Sequence, residues 1–80
     1  MNLAQKKYKT YPSITKVSFS EDKITVCLND GRDVSVPIAW FPSLLTASRE
    51  ELLDFEISPS GYGIHWPKID EDISVKAFVE

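Results

Sequence analysis

The chain has one cysteine, Cys27, and one histidine, His65. A single cysteine excludes an internal disulfide and a thiolate metal cluster. Its place inside the apolar stretch "ITVCL" suggests a small buried hydrophobe rather than a nucleophile. No apolar run exceeds a few residues, far short of the roughly 20 needed for a membrane-spanning helix. The opening "MNLAQKKYKTYP" lacks the apolar centre and small-residue cleavage site of a secretory signal. Repeats, low-complexity segments and linkers are also missing. These absences point to a cytoplasmic, soluble protein, and 80 residues allow one domain.

What is present suffices for a core. Hydrophobic residues make up 42% of the chain, and its tryptophans, tyrosines and phenylalanines add bulk, which argues against disorder. The net charge of −3 is unevenly placed. Residues 1–16 contain Lys6, Lys7, Lys9 and Lys16 and no acid, whereas residues 50–80 contain eight acids against Lys68 and Lys76. An acidic C-terminal half disfavours wrapping a phosphate backbone, which needs a basic face. It suits a basic partner, or simply keeps a small protein in solution. The Lys/Tyr-rich start is expected to be a flexible or edge arm over residues 1–13, with a single domain over residues 14–80.

Residues 14–38 alternate as a three-stranded meander. Val17 and Phe19 share one face, as do Ile24, Val26 and Leu28, and then Val34, Val36 and Ile38. Glu21-Asp22 closes the first hairpin, with Phe19 near Ile24. The second turn admits two registers. A two-residue Asp30-Gly31 loop would pair Val26 with Ser35 and split the apolar faces. A three-residue Asn29-Asp30-Gly31 loop pairs Val26 with Val34 and Ile24 with Val36, and asks Gly31 to adopt a left-handed bulge conformation. The second arrangement is expected.

Pro37 lacks an amide donor and ends the third strand or marks an edge. Pro42 suits the first position of a helix, with Leu44, Leu45 and Trp40 able to cover the sheet. Ser48 and Glu51 form a capping box ahead of Leu52 and Leu53. Leu53, Phe55 and Ile57 alternate as a strand, Pro59, Gly61 and Gly63 make a turn, and Ile64–Trp66 reads as the final strand, stopped by Pro67. Asp70, Glu71 and Asp72 then fit a helix start, where the dipole favours acids, with Ser74 or Asp72 as cap. The sum is an α+β domain: a small antiparallel sheet, the meander plus one or two later strands, with short helices packed on one side.

The densest chemistry lies in "GYGIHWPKIDED", residues 61–72. His65 with Asp70 and Asp72 does not match a known metal-ligand spacing, and no second His or Cys completes a zinc set. An acid beside a lone His can orient and charge the imidazole, yet no nucleophile stands out. Gly61-Tyr62-Gly63 is too short to cradle phosphate. Neither cofactor nor metal is expected. Structural duties fit the same residues: Gly31, Gly61 and Gly63 for turns, Pro42 for a helix start, Trp66 as a core plug and Pro67 as a strand stop. Trp40, Tyr62, His65, Asp70, Glu71 and Asp72 are the candidate contacts for a partner.

"DGRDVSVPIAWFPSLLTA" followed by "GYGIHWPKIDEDISV" resembles a small bacterial family catalogued as domain of unknown function 2442, over residues 14–80. The matching positions include Asp30, Gly31, Arg32, Pro37 and Pro42, then the long close from Gly61 to Val75. Ser43 and Leu52 stand where many members carry Arg. The resemblance implies an α+β domain, found also at the start of longer proteins that continue into a helix-turn-helix. It further implies genes paired with a second small domain, as in toxin–antitoxin modules. No catalytic residue comes with it. A non-enzymatic, antitoxin-like interaction module with a small basic protein partner is therefore expected. The alternative is a regulatory nucleic-acid-associated domain using the Lys6–Lys16 arm, and the third is an enzyme or metal protein built on His65 with Asp70 or Asp72. An edge strand beside Pro37 or at the first strand also allows pairing into a homodimer.

Overall fold

Alternation in the first half of the chain builds an antiparallel meander of β1 (Ile14–Phe19), β2 (Lys23–Leu28) and β3 (Asp33–Pro37). In this computed structural model, residues 11–80 are described. Most of the expected N-terminal arm, with Lys6, Lys7 and Lys9, lies outside the described residues. Val26 pairs with Val34 and Ile24 with Val36, so the three-residue loop sets the register. The Leu28 amide donates to the Arg32 carbonyl at 2.8 Å, and Gly31 takes φ 97°. Phe19 lies opposite Ile24.

One feature of β1 departs from simple alternation. Its register against β2 shifts between Ile14 and Lys16, so Thr15 is an extra residue. That bulge puts Ile14 and Val17, three positions apart, into the same core.

After β3, a 3₁₀ turn (Ile38–Trp40) leads into α1 (Pro42–Leu45), with Pro42 at the helix start. Only Leu44 of the three expected cover residues is buried. Leu45 and Trp40 are exposed, because α1 turns only Leu44 inward and the 3₁₀ turn only Ile38. Helix α2 (Arg49–Leu53) begins at Ser48, whose hydroxyl accepts from the Glu51 amide at 3.1 Å while the Glu51 carboxylate accepts from the Ser48 amide at 2.9 Å. The helix runs through Leu53, which is exposed rather than part of the following strand.

The later strands make a second sheet rather than extending the first. Its order is β4 (Glu56–Ile57), β5 (Gly63–Trp66) and β6 (Glu71–Ser74), all antiparallel. The acids expected to start the last helix instead sit in and before β6. Pro67–Asp70 closes a tight β5–β6 hairpin, and Asp70 takes the left-handed conformation at φ 51°. Helix formation is confined to α3 (Lys76–Val79), whose first amide is accepted by the Ser74 hydroxyl at 2.9 Å. Val75 occupies the N-cap with no side-chain cap bond, so neither Ser74 nor Asp72 is the cap expected from the sequence.

Both sheets contribute to one core. Ile14, Val17, Ile24, Val26, Leu28 and Val36 come from the first sheet, and Ile64, Trp66 and Ile73 from the second, with Ile38, Leu44, Val75 and Phe78 completing it. Burying such a side chain fully is worth about 1.5–3 kcal/mol. Trp66 is sealed from solvent, and its indole N–H donates to the Leu52 carbonyl at 3.0 Å. The sheets are stitched together at Ser13 and Ile14. The Ile14 amide donates to the Gly61 carbonyl at 2.7 Å, and the Ser13 hydroxyl to the Ser60 carbonyl at 2.9 Å. Cys27 points away from the core and is half-buried rather than buried. Hydrogen bonding to Asp33, helped by desolvation, pushes its thiol pKa up.

Candidate functional site

In β5, Ile64 and Trp66 face the core, so Gly63 and His65 face outward. Register then fixes their neighbours. Glu56 lies opposite His65 on one side and Asp72 on the other, making a row across all three strands of the second sheet. The next row is Ser58, Gly63 and Ser74, since the Ser58 amide donates to the Gly63 carbonyl at 2.9 Å. The Val75 amide bonds to the Tyr62 carbonyl, which by alternation makes His65–Asp72 a non-hydrogen-bonded pair. Side chains approach most closely at such pairs. Accordingly, His65 Nδ1 lies 2.8 Å from Asp72 Oδ1.

This face has a depression beside Gly63, where an added Cβ would lie 3.0 Å from the Ile73 carbonyl oxygen of β6. The depression encloses about 440 Å³ and is lined by both rows together with Ile57, Pro59, Tyr62, Ile64 and Ile73. Tyr62 is 49% exposed at its margin. The His65 side chain is 40% exposed and that of Asp72 76%, so their contact is open to solvent. The serine hydroxyls are engaged with backbone: Ser58 Oγ accepts from the amides of Tyr62 and Gly63 at 3.0 and 3.1 Å, and Ser74 Oγ from Lys76. The Glu56 carboxylate and the Tyr62 hydroxyl have no partner among the described residues. Among those residues, no group of three or more His, Cys, Asp or Glu side chains is arranged to hold a metal ion.

The six residues expected to meet a partner do not form one surface. Tyr62, His65 and Asp72 come together around the depression. Asp70 sits in the hairpin turn, where its conformation closes the β5–β6 connection. Glu71 turns to the other face of β6, and its carboxylate accepts from the Ser43 hydroxyl at 2.5 Å. Position 43 therefore faces an acid of the same domain. Trp40 is 62% exposed on the 3₁₀ turn and does not line the depression. Glu56 and Ser58 are not among the residues expected to meet a partner, and Ser74 is expected only as a helix cap. The signal was available in "DFEIS": if Phe55 and Ile57 face inward, Glu56 and Ser58 face outward.

The described residues form a small α+β domain with two antiparallel sheets, three short helices and an open, acid-lined sheet face. No helix among the described residues is long and apolar enough to cross a membrane. The chain belongs to the family described as "Protein of unknown function (DUF2442)", whose model matches residues 14–80. It is similar to the crystal structure of a protein of unknown function from Rhodospirillum rubrum, at 28% identity and a TM-score of 0.73, over 85% of this chain and 84% of that one. It also shares its fold with the solution structure of an uncharacterised protein from Chromobacterium violaceum, at 24% identity and a TM-score of 0.69, over 96% of this chain and 70% of that one. No curated protein matches the chain.

Proposed function

We propose that this chain is a protein-interaction module without catalytic activity of its own, the antitoxin-like member of a two-gene pair, and that it holds a small basic partner on the outer face of β4–β5–β6. The observation that supports this most is the exposed row of Glu56, His65 and Asp72 beside the Gly63 depression and Tyr62. Charge supports it too. Residues 11–80 hold twelve acids against Lys16, Lys23, Arg32, Arg49, Lys68 and Lys76. That balance steers a basic protein towards the domain and repels an acidic one.

Co-expression with the product of the adjacent gene tests the assignment. The expected result is a complex that survives gel filtration at moderate salt, together with relief of any growth defect the neighbour causes alone. An Asp72→Lys change should weaken the complex while leaving the fold intact. Absence of both the complex and the relief refutes the assignment. Retention of the purified chain on DNA at low salt, with no protein partner bound, would refute it in favour of a nucleic-acid role.

A further inference from the structure

The outer face of the second sheet restricts the chemistry of its occupant. Adjacent strands are about 4.8 Å apart, which sets Glu56 and Asp72 about 10 Å from one another with His65 between them. His65 engages one oxygen of Asp72, leaving the other oxygen and the whole Glu56 carboxylate open. The row beside them offers no free hydroxyl, because Ser58 and Ser74 serve backbone amides. Its centre is the bare backbone of Gly63, with Pro59 and Tyr62 also lining the depression. An occupant that satisfies every part has an apolar stem for the depression and a cationic head with donors spread widely enough to meet separated carboxylates.

Among protein side chains arginine has this shape. Its planar guanidinium points donors in several directions, pairs with carboxylates and stacks on aromatic rings. A lysine ammonium is a compact point charge and meets one carboxylate at a time. We propose that the Gly63 depression receives a single arginine side chain from a protein partner, its guanidinium between Glu56 and Asp72 and against Tyr62. The inference rests on the interaction-module assignment and names the partner group that this face recognises. The acidic excess of the described residues supplies the charge complementarity.

The experiment uses amide NMR of the whole chain, titrated with the blocked tripeptide Gly-Arg-Gly, its lysine analogue and its citrulline analogue, which keeps the arginine shape without the charge. Expected is a set of shifts centred on Tyr62, Gly63, His65 and Asp72 with the arginine peptide, weaker shifts with lysine and none with citrulline. Glu56→Gln and Asp72→Asn should each raise the dissociation constant about two- to fivefold, the range of an exposed charge pair. Equal responses to all three peptides, shifts centred on another face, or no shifts at all overturn the inference. The adjacent-gene complex separates the two proposals. If it forms and tolerates the Glu56→Gln/Asp72→Asn double variant, the arginine site is refuted and the module stands. If no complex forms but the arginine peptide binds at Gly63, the arginine site stands and the module assignment falls.

Discussion

Gly61→Ala should be among the most damaging single-methyl additions available in this domain, and Gly31→Ala is its control. Both glycines adopt positive φ, 74° at Gly61 and 97° at Gly31. Holding a residue with a Cβ in that region costs about 1–2 kcal/mol. At Gly31 nothing lies within 4 Å of an added Cβ, so that backbone term is the whole effect. At Gly61 the added atom would lie 2.6 Å from the Ser13 Cβ and 2.9 Å from the Ile14 carbonyl oxygen. Neither is the end of a flexible side chain. Relief requires the turn to move away from β1, which strains the 2.7 Å bond from the Ile14 amide to Gly61. Overpacking of this kind adds about 1–3 kcal/mol. The expected losses are therefore about 1–2 kcal/mol at Gly31 and about 2–5 kcal/mol at Gly61. A domain of this size loses about 4–8 °C in Tm per kcal/mol. Urea and thermal unfolding followed by circular dichroism give both values. Equal losses at the two sites would show that the close approach of residues 13–14 contributes nothing, and would refute the reasoning.

Three further outcomes are expected. Asp70→Gly should be neutral or slightly stabilising, whereas Asp70→Val should cost about 1–2 kcal/mol, because a β-branched residue resists the left-handed turn conformation; equal stabilities by urea denaturation would refute this. Trp66→Phe should cost about 2–4 kcal/mol, combining lost volume with an unpaired Leu52 carbonyl, and a Tm within 2 °C or so of the parent would contradict the buried hydrogen bond. The Arg32 side chain, by hydrogen bonding to the Asp30 carboxylate, holds it below the usual carboxylate pKa. Because the folded value is the lower one, its stabilisation is present above the unfolded pKa and fades as pH falls through the folded pKa; Arg32→Ala should raise the Asp30 midpoint in a carboxyl NMR titration, and an unchanged midpoint refutes the coupling.

The first sheet was legible because two independent signals agreed. Alternation put Ile24, Val26, Val34 and Val36 on one face, and only a three-residue loop kept them together. The bulge at Thr15 has a trace in the spacing of Ile14 and Val17, because alternation cannot bury both without an extra residue. The second sheet was harder. Strand β4 has two residues and no periodicity of its own. Glu71, Asp72, Ile73 and Ser74 hold a single apolar side chain, and acids ahead of an apolar residue favour a helix start locally. Pairing with β5 overrides that preference, burying Ile73 beside Ile64. The same pairing made the site unreadable from spacing alone. His65 and Asp72 are seven positions apart and meet only because Pro67–Asp70 folds back as a hairpin.

The stitching at residues 13–14 bears on how the domain opens. The Ile14 amide is held by the Gly61 carbonyl in the β4–β5 turn, while the Ile14 side chain is buried with the first sheet and the residue belongs to β1. Its deuterium exchange therefore requires the two sheets to part, not merely a strand end to fray. If its protection equals that of Ile24 and Ile64, the sheets open as one cooperative unit; if it exchanges earlier, they are separate foldons that share a core.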